Sequence, residues 1–331
     1  MAEPTARGLT RSDWAFAARR SSHGFVRHRG IDSAAALTFF SSLALFPMAL
    51  AVVSAFSLGS GRDNAAESIL EVLGEVLQPG TLDILKEPLT SLFTVSNPGV
   101  ALALGLALSL WSLSSYATAF GRAVNTVYEV QEGRQIWKFR GLMLVLAVFL
   151  LAVFAGIAVL LLTTDRVASA VGITEPWLTV WAVVRWPVLA ALFTLLIAVL
   201  YYFTPNVRHV RMRWVSFGAL FAIVAWALAT TAFVFYVSTA QTYDRIYGWL
   251  GGGLALLLWL YLTNLVLVLG AEVDAELVRV RQLSAGIRAE ETIQLPLRDT
   301  TRNLVLARQR ADDVRDGKKI RDAAVLPHKT D

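Results

Sequence analysis

The sequence predicts an all-α fold, namely a polytopic membrane helix bundle with six transmembrane helices. Of its 331 residues, 56% are apolar and 17% are charged, whereas a soluble domain normally carries about 25% charged residues. The apolar residues are concentrated in six stretches of roughly 20 or more residues, the length of helix that crosses a hydrocarbon core of about 30 Å. The alternating pattern of a membrane β-barrel is absent, so helices must satisfy the backbone hydrogen bonds. These observations exclude a soluble enzyme, a fibrous protein and a disordered chain.

The six predicted spans differ in how clearly their ends are marked. Asn97 precedes the second span as an N-cap, and Pro98 occupies the first turn, where its missing N–H costs nothing. The fourth span begins either at Trp177 or at Pro187. With the first start Arg185 lies roughly 12 Å deep at 1.5 Å per residue, and with the second its side chain reaches the interface. The spans cover approximately residues 33–58, 98–120, 139–163, 178–203, 214–239 and 247–270.

The positions of lysine and arginine predict the orientation in the membrane. These residues are concentrated before the first span, in the 121–140 and 204–213 connections and at the start of the C-terminal tail. Six spans would place those segments on one side, which then carries 16 basic residues against 4 on the other side. We therefore expect a multi-pass protein of the bacterial cytoplasmic (inner) membrane, with the N- and C-termini cytoplasmic.

The same basic residues bear on the partners of the protein. Next to the spans they are expected to face the headgroups of membrane lipids. Nucleic acid is not predicted as a partner, because no RNA- or DNA-binding module has room to fold. The pattern leaves an oligomer open.

Three segments lie outside the predicted membrane domain of residues 33–271. In residues 1–32, aromatic residues lie among arginines, which is typical of an interfacial amphipathic helix. The outer 59–97 loop is acidic and carries apolar residues at helical spacing, which predicts further amphipathic helices. These would either cover the bundle or form an acidic vestibule that attracts cations. Residues 272–331 are predicted to extend the sixth helix and then to form a charged, partly disordered cytoplasmic tail.

Polar residues within the spans are the best candidates for function, because hydrocarbon tolerates them only where they face protein or water. Pro47 should free the carbonyl oxygen of Leu43 and kink the first span. Ser115, Thr118 and Arg122 share one face of the second span. The alternative is structural, since small hydroxyl residues in spans often pack helices closely or bond to their own backbone. The candidate pathway or packing positions are Ser41, Ser42, Pro47, Ser115, Thr118, Arg122, Asn125, Arg185, Asn206, Asn264 and Glu272.

Acidic residues are absent from the middle of every span, which disfavours a buried carboxylate proton relay of the usual kind. Glu272 and Asp274 follow the sixth span directly, at the inner interface. Their predicted partners are arginines of the 204–213 connection, namely Arg208, Arg211 or Arg213.

Neither a cofactor nor a metal site is predicted. The chain has no cysteine, and its four histidines lie outside the apolar stretches, which excludes thiolate metal sites and a histidine metal site within the membrane. The serines of the spans have no His, Lys or Asp beside them that would activate a nucleophile. We therefore expect that the protein is not an enzyme.

Four sequence blocks, taken in order, resemble the YihY/BrkB family of bacterial inner-membrane proteins, over roughly residues 25–285. They are AAALTFFSSLALFPMAL, LWSLSSYATAFGRAVNTVYEV, YYFTPNVRHVRMRWVSFGAL and YGWLGGGLALLLWLYLTNLVLVLGAEVDAEL. Phe39 and Phe40 stand where the family often has a tyrosine. The resemblance implies no catalytic residue, and nothing in the chain supports the family's former label as a ribonuclease. The positions that match its motifs are Ser42, Pro47, Trp111, Ala123, Asn125, Pro205, Asn206, Gly218, Gly248, Gly270, Ala271 and Glu272.

Three classes of function remain open at this stage. A transporter or translocase of a lipid-like or amphiphilic substrate is favoured by the polar faces of the first two spans and by the Pro and Gly interruptions. A non-transporting scaffold or envelope accessory protein is favoured by the absence of charge in mid-membrane. An intramembrane enzyme is the weakest alternative, because it would need a nucleophile–base pair at membrane depth.

Overall fold

The computed structural model describes residues 9–60, 97–162, 177–208, 216–239 and 249–325. Within these ranges the chain forms eight helices and no strand. They are α1 (Arg11–Arg27), α2 (Gly30–Ser60), α3 (Pro98–Val127), α4 (Ile136–Leu162), α5 (Trp177–Phe203), α6 (Phe217–Thr239), α7 (Trp249–Ser284) and α8 (Thr301–Val325). Helices α2 to α7 are long and apolar enough to cross a membrane, which confirms the predicted all-α bundle with six spans.

Two helix starts answer questions that the sequence raises. The side chain of Asn97 caps α3, because its Oδ1 accepts hydrogen bonds from the backbone N–H groups of Gly99 at 3.1 Å and Val100 at 3.2 Å. Helix α5 begins at Trp177, so Pro187 lies inside it rather than in its first turn. The later of the two predicted starts is therefore wrong, and Arg185 belongs to the helix.

The first two spans, α2 and α3, pack closely through Gly105. A β-carbon at this position would lie 2.9 Å from both the carbonyl oxygen of Pro47 and the backbone nitrogen of Ala51. Small residues allow such approach of membrane helices, whose association depends on van der Waals contact rather than on the hydrophobic effect.

A second close contact joins α6 to α7. A β-carbon on Gly270 would lie 2.5 Å from the hydroxyl of Tyr201 and 2.7 Å from the β-carbon of Ala222. One on Gly218 would collide with the carbonyl oxygen of Gly270. Here too the two helices approach so closely that only glycine, which has no side chain, fits at the contact. Otherwise α6 remains largely accessible, so it lies at the edge of the bundle.

The main apolar core lies where α3, α4, α5 and α7 meet. Phe120, Leu150, Ile197 and Leu200 are fully buried there. The ring of Phe120 stacks on Tyr201 with 5.8 Å between centroids.

The predicted N-terminal helix is present as α1, and it packs on protein. Ala17 is buried in a cluster with Leu277 and Val280 of α7. The ring of Trp14 contacts that of Phe217, with 4.7 Å between centroids. Because α1 docks on the last turns of α7, the N-terminal and C-terminal segments lie at the same end of the bundle.

The C-terminal tail differs from its prediction. Helix α7 continues to Ser284, as expected, but residues 285–300 then fold back over the bundle and lead into α8. Val207 and Leu297 form an isolated antiparallel bridge, and the N–H of Arg208 donates to the carbonyl of Pro296 at 2.8 Å. Residues 285–300 therefore form an ordered return and a helix follows as far as Val325, while the disorder predicted for part of the tail stays a prediction. The reason for the ordered return is that polar composition lowers the tendency to fold alone, while residues 285–300 fold on an existing surface.

Several predictions fall outside the described residues. They are the amphipathic helices of the 59–97 loop, apart from its first two residues and its last, the connection that carries Arg211 and Arg213, and the end of the tail beyond Val325.

Candidate functional site

A polar seam lies inside the spans, and it consists of Thr38 and Ser41 of α2, Tyr116 of α3 and Asn264 of α7. The amide Nδ2 of Asn264 donates to the carbonyl of Leu260 at 2.9 Å, to Ser41 Oγ at 3.3 Å and to Thr38 Oγ1 at 3.4 Å. Its Oδ1 accepts a hydrogen bond from the hydroxyl of Tyr116 at 3.0 Å. Asn264 is buried, and Ser41 and Tyr116 are half-buried. The seam therefore joins three spans through the amide of one residue.

Pro47 has the local effect that its sequence position predicts. Proline leaves the carbonyl four residues earlier without its helical donor. That carbonyl belongs to Leu43, and the hydroxyl of Ser112 in α3 donates to it over a long 3.5 Å. The neighbouring span thus compensates for the proline, which indicates a packing role for this position.

The other hydroxyl candidates do not gather into one site. The hydroxyl of Ser42 bonds to the carbonyl of Phe39 at 2.9 Å, and that of Thr118 bonds to Ser114 at 2.8 Å. Arg122 is exposed and Ser115 is half-buried. The shared helix face exists, but the structure does not place it around a common centre.

Arg185 is partly buried within α5. Its guanidinium lies over the ring of Trp186, 5.4 Å from the centroid. Its Nε is buried without a hydrogen-bond partner among the described residues. The membrane depth of Arg185 stays a prediction.

Asn125 and Asn206 join two connections beyond the spans. The backbone N–H of Asn206 donates to Asn125 Oδ1 at 2.8 Å, and Asn125 Nδ2 donates to Glu132 at 2.9 Å. The side chain of Asn206 donates to the carbonyls of Gln131 at 3.1 Å and Asp299 at 2.9 Å, and it accepts from the N–H of Asp299 at 3.2 Å. Both asparagines are buried, so they bind the C-terminal return to the bundle.

Arg134 and Arg298 reinforce this junction, and sequence reasoning missed both. Arg134 forms a bidentate pair with Glu132 at 2.7 Å and donates to the carbonyl of Thr204 at 2.6 Å. Arg298 donates to the carbonyl of Val207 at 2.7 Å. Burial, together with the charge of Arg134, lowers the pKa of Arg298. Arg134 lies in the 121–140 connection, whose basic residues were interpreted as topology determinants only, and Arg298 lies in the tail that was predicted to be partly disordered.

Asp299 prepares the start of α8. Its Oδ1 accepts hydrogen bonds from the hydroxyl of Thr301 at 2.6 Å and from the backbone N–H of Thr301 at 2.8 Å. These bonds hold the pKa of the Asp299 carboxyl below its usual range. The junction is thus a network of polar supports that holds the C-terminal return on the bundle.

An ionic cluster lies at the same end of the bundle, where α1, the α3–α4 connection and α7 meet. Its members are Arg20, Arg27, His28, Glu129, Glu272, Glu276 and Arg279. Glu272, Glu276 and Arg279 are almost fully buried. Of these seven residues only Glu272 was a candidate.

Among the described residues the partner of Glu272 is His28 and not Arg208, while Arg211 and Arg213, the other two predicted partners, lie outside them. Glu272 Oε2 lies 3.1 Å from His28 Nδ1, whereas Arg208 is exposed and pairs through its backbone with the C-terminal return. Asp274 accepts from the N–H of Gly218 at 3.3 Å and from the hydroxyl of Tyr128 at 3.2 Å. The reason is that α1 returns to α7, an approach between residues more than 240 positions apart that local spacing does not encode.

A signal for the cluster was present in α7. Glu272, Glu276 and Arg279 are spaced by four and three residues, so they share one helix face. A charged stripe on an otherwise apolar helix suggests a buried partner surface. Within the described residues, no group of His, Asp and Glu side chains has an arrangement that could hold a metal ion.

Comparison with known proteins gives a consistent set of relatives. Residues 21–292 match the family model described as virulence factor BrkB. The ribonuclease-like protein YfkH of Bacillus subtilis is 32% identical over 263 residues, which are 78% of this chain and 94% of that protein. UPF0761 membrane proteins of Alkalilimnicola ehrlichii and Vibrio campbellii are 30% and 28% identical, over 75% and 73% of this chain. The chain spans only 55% and 75% of the lengths of these two relatives. No solved structure matches this chain.

Proposed function

Since the chain belongs to the virulence factor BrkB family of membrane proteins, we propose that it moves a lipid-like or amphiphilic substrate through the bacterial cytoplasmic membrane. Both termini would lie in the cytoplasm, as the distribution of basic residues indicates. The end of the bundle that carries the ionic cluster would then face the cytoplasm.

The observation that carries this proposal is the polar seam of Thr38, Ser41, Tyr116 and Asn264. Polar groups within hydrocarbon cost free energy unless they are paired, and a span needs none for its own stability. Four of them, supplied by three spans, could exchange their hydrogen bonds within the protein for bonds to a polar headgroup at membrane depth. Hydroxyl and amide groups without a net charge suit a headgroup better than an inorganic ion.

The edge position of α6 supports access to the seam from the lipid. Helix α6 contacts α7 beside the seam, where the indole Nε1 of Trp226 donates to Thr263 Oγ1 at 3.1 Å. The ring of Trp226 also lies 4.3 Å from that of Phe193 in α5. Few residues of α6 are buried, so the helix that neighbours the seam is largely accessible on its outer side, as access from the lipid requires.

The alternative is a membrane scaffold, and one observation favours it. The amide of Asn264 already has partners on both its nitrogen and its oxygen, all within the protein. A scaffold could use such bonds purely to hold three spans together, since hydrogen bonds between membrane helices contribute about 0.6–2 kcal/mol each.

Reconstituted vesicles that contain a fluorescent phospholipid distinguish the two functions. We expect the protein to accelerate movement of the lipid between leaflets relative to empty vesicles. Tyr116→Phe and Asn264→Leu should slow it by about tenfold, since one lost hydrogen bond of 1–2 kcal/mol is close to a factor of ten. Thr194→Val is the matched control, because Thr194 is accessible and bonds only to its own helix at Ala190.

Two results would count against transport. One is a rate for the intact protein equal to that of empty vesicles, for phospholipids and for other amphiphiles tested in the same way. The other is that Asn264→Leu moves the lipid as fast as the intact protein does, although this variant is less stable than the intact protein. Either would favour the scaffold.

We also propose that the protein is not an enzyme and binds no nucleic acid, cofactor or metal. The name of YfkH describes that relative as ribonuclease-like, whereas the described part of this chain has no group of His, Asp and Glu side chains that could hold a metal ion for such chemistry. RNA incubated with the purified protein should remain intact. RNA cleavage that follows the protein through gel filtration would refute this.

A further inference from the structure

Within the ionic cluster, Glu129 and Glu276 are paired with arginines, whereas Glu272 has no arginine partner among the described residues. Glu129 Oε1 lies 3.0 Å from Arg27 Nη2 and 3.1 Å from Arg279 Nη2. Glu276 Oε2 lies 3.0 Å from Arg20 Nε and 3.1 Å from Arg279 Nε. Two of the three carboxylates therefore have two arginine partners each.

Glu272 has a different environment. Its side chain is 1% exposed, and among the described residues its ion-pair partner is His28, whose Nδ1 lies 3.1 Å from Oε2. Its Oε1 is buried without a hydrogen-bond partner in the same part of the chain. This oxygen lies against Gly24 of α1, where a β-carbon would collide with it. Neither water nor a cation has room on that side.

A buried carboxylate without compensation is unfavourable, and a proton is the smallest group that can neutralise it. The pair is neutral overall if one proton lies between Glu272 Oε2 and His28 Nδ1. The proton can belong to the imidazolium beside a carboxylate, or to a carboxylic acid beside a neutral imidazole. Both forms hold one proton and one hydrogen bond at the observed distance.

We propose that Glu272 and His28 form a proton-binding site that holds the N-terminal helix α1 on α7. When the proton leaves, the negative charge of Glu272 stays buried with a neutral imidazole as its neighbour. The site concerns the proton and not the transported molecule, so it does not depend on the proposed transport function.

The surrounding charges act in both directions. From α1, Arg27 and Arg20 face the cluster and favour the ionised carboxylate. From the same helix as Glu272, Glu276 disfavours it. From the α3–α4 connection, Glu129 Oε1 lies 3.7 Å from His28 Nε2 and favours the imidazolium. Arg279 of α7 is the remaining charge of this group, and it is already shared by Glu129 and Glu276.

The position of His28 links the proton to the docking of α1. His28 is the C-cap of α1, and Arg29 follows it with a φ of 53°, in the left-handed region that non-glycine residues rarely adopt. The bond from His28 to Glu272 holds this turn against α7. Its loss removes one of the contacts that hold α1, beside the ion pairs of Arg20 and Arg27 and the apolar contacts of Ala17 and Trp14.

The direction with pH follows from the number of bound protons. In the unfolded chain a free histidine loses its proton near pH 6.5, and a free glutamate has lost its own below that. If the folded protein keeps the proton of the proposed site above this pH, as the proposal requires, it holds one proton more than the unfolded chain there. Its folding equilibrium constant should then fall by up to about tenfold per pH unit, until the site releases its proton.

The test uses the full chain in detergent micelles, with unfolding measured at several pH values between about 6 and 10. The wild-type protein should lose stability as pH rises, and Glu272→Gln should show a weaker slope because its amide needs no proton. Glu291→Gln, at an exposed glutamate, is the matched control and should keep the wild-type slope. Equal slopes in the wild type and Glu272→Gln would overturn the proposal.

A double-mutant cycle tests the pairing at a single pH. His28→Gln leaves the buried charge of Glu272 without its proton donor, so this variant should be strongly destabilised or fail to fold at pH 8. The same change in the Glu272→Gln background should cost far less. A cost of His28→Gln that is equal in both backgrounds would refute the pairing. If His28→Gln and the double variant both fail to fold, the pH slopes of the wild type and Glu272→Gln decide, and equal slopes would refute it.

Trypsin reports the docking of α1 directly. Cleavage at Arg19 and Arg20 in α1 is compared with cleavage at Arg308 in the fully accessible α8, which cancels the pH dependence of the protease. We expect this ratio to rise with pH in the wild type and to stay constant in Glu272→Gln. A ratio that is independent of pH in both the wild type and Glu272→Gln would show that the proton does not control the docking of α1, and would overturn that part of the proposal.

Discussion

Replacing Asn206 with alanine tests the junction between the C-terminal return and the bundle. The side chain makes three hydrogen bonds, two as donor to Gln131 and Asp299 and one as acceptor from Asp299, at 2.9–3.2 Å. Each such bond contributes about 1 kcal/mol net, and a buried partner that is left unpaired costs at least as much. We therefore expect Asn206→Ala to lower the free energy of unfolding by about 3 kcal/mol.

The matched control is the same substitution at Asn97, whose side chain caps α3 at the surface. Loss of an N-cap costs about 1 kcal/mol, so the two variants should differ about threefold. Denaturant unfolding in detergent, followed by tryptophan fluorescence, measures both values. Hydrogen exchange should also rise at the amides of Arg298 and Asp299, which bond to Asn206. If Asn206→Ala costs no more than Asn97→Ala, the junction does not hold the return in place.

Three further predictions concern packing, pH and topology. Gly270→Ala should destabilise the protein by about 1–3 kcal/mol through overpacking. Gly253→Ala is the control and should be neutral or stabilising, because Gly253 has open space around it. Equal thermal unfolding temperatures of the two variants would contradict the close contact at Gly270. Because the pKa of Asp299 is depressed in the folded protein, its contribution to stability is present above its unfolded pKa of about 4 and is lost as pH falls further. Acid should therefore raise hydrogen exchange at the start of α8. Asp299→Asn should remove this pH dependence. In this cysteine-free chain, Asp83→Cys should react with an impermeant thiol reagent from outside the cell and Lys329→Cys should not; the reverse labelling would invert the topology.

The spans were predictable because their signal is local. Each apolar stretch carries its own transfer free energy to the bilayer, which depends little on the neighbouring helices. The cap at Asn97 and the carbonyl freed by Pro47 are equally local, since both concern groups within four residues. The start of α5 was left between Trp177 and Pro187, because proline fits both the first turn and a packed helix interior.

The polar seam was only half predictable. Ser41 and Asn264 were identified because polar residues in apolar spans are rare. Their partnership was not, since Asn264 lies 148 residues from Tyr116 and 223 from Ser41. Thr118 looked equivalent from its spacing, yet it bonds to its own backbone at Ser114.

The sequence alone determined the number of candidate spans, their approximate limits and the all-helical fold, because burial in lipid is decided residue by residue along the chain. The family was also accessible from ordered sequence blocks. Which charge faces which was decided only by the tertiary structure. Glu272 could have paired with any basic residue at its end of the bundle, and the docking of α1 brings His28 to it because Gly24 leaves room for the carboxylate. Such pairing depends on an approach between distant segments, and the energy of that approach is not a property of either segment by itself.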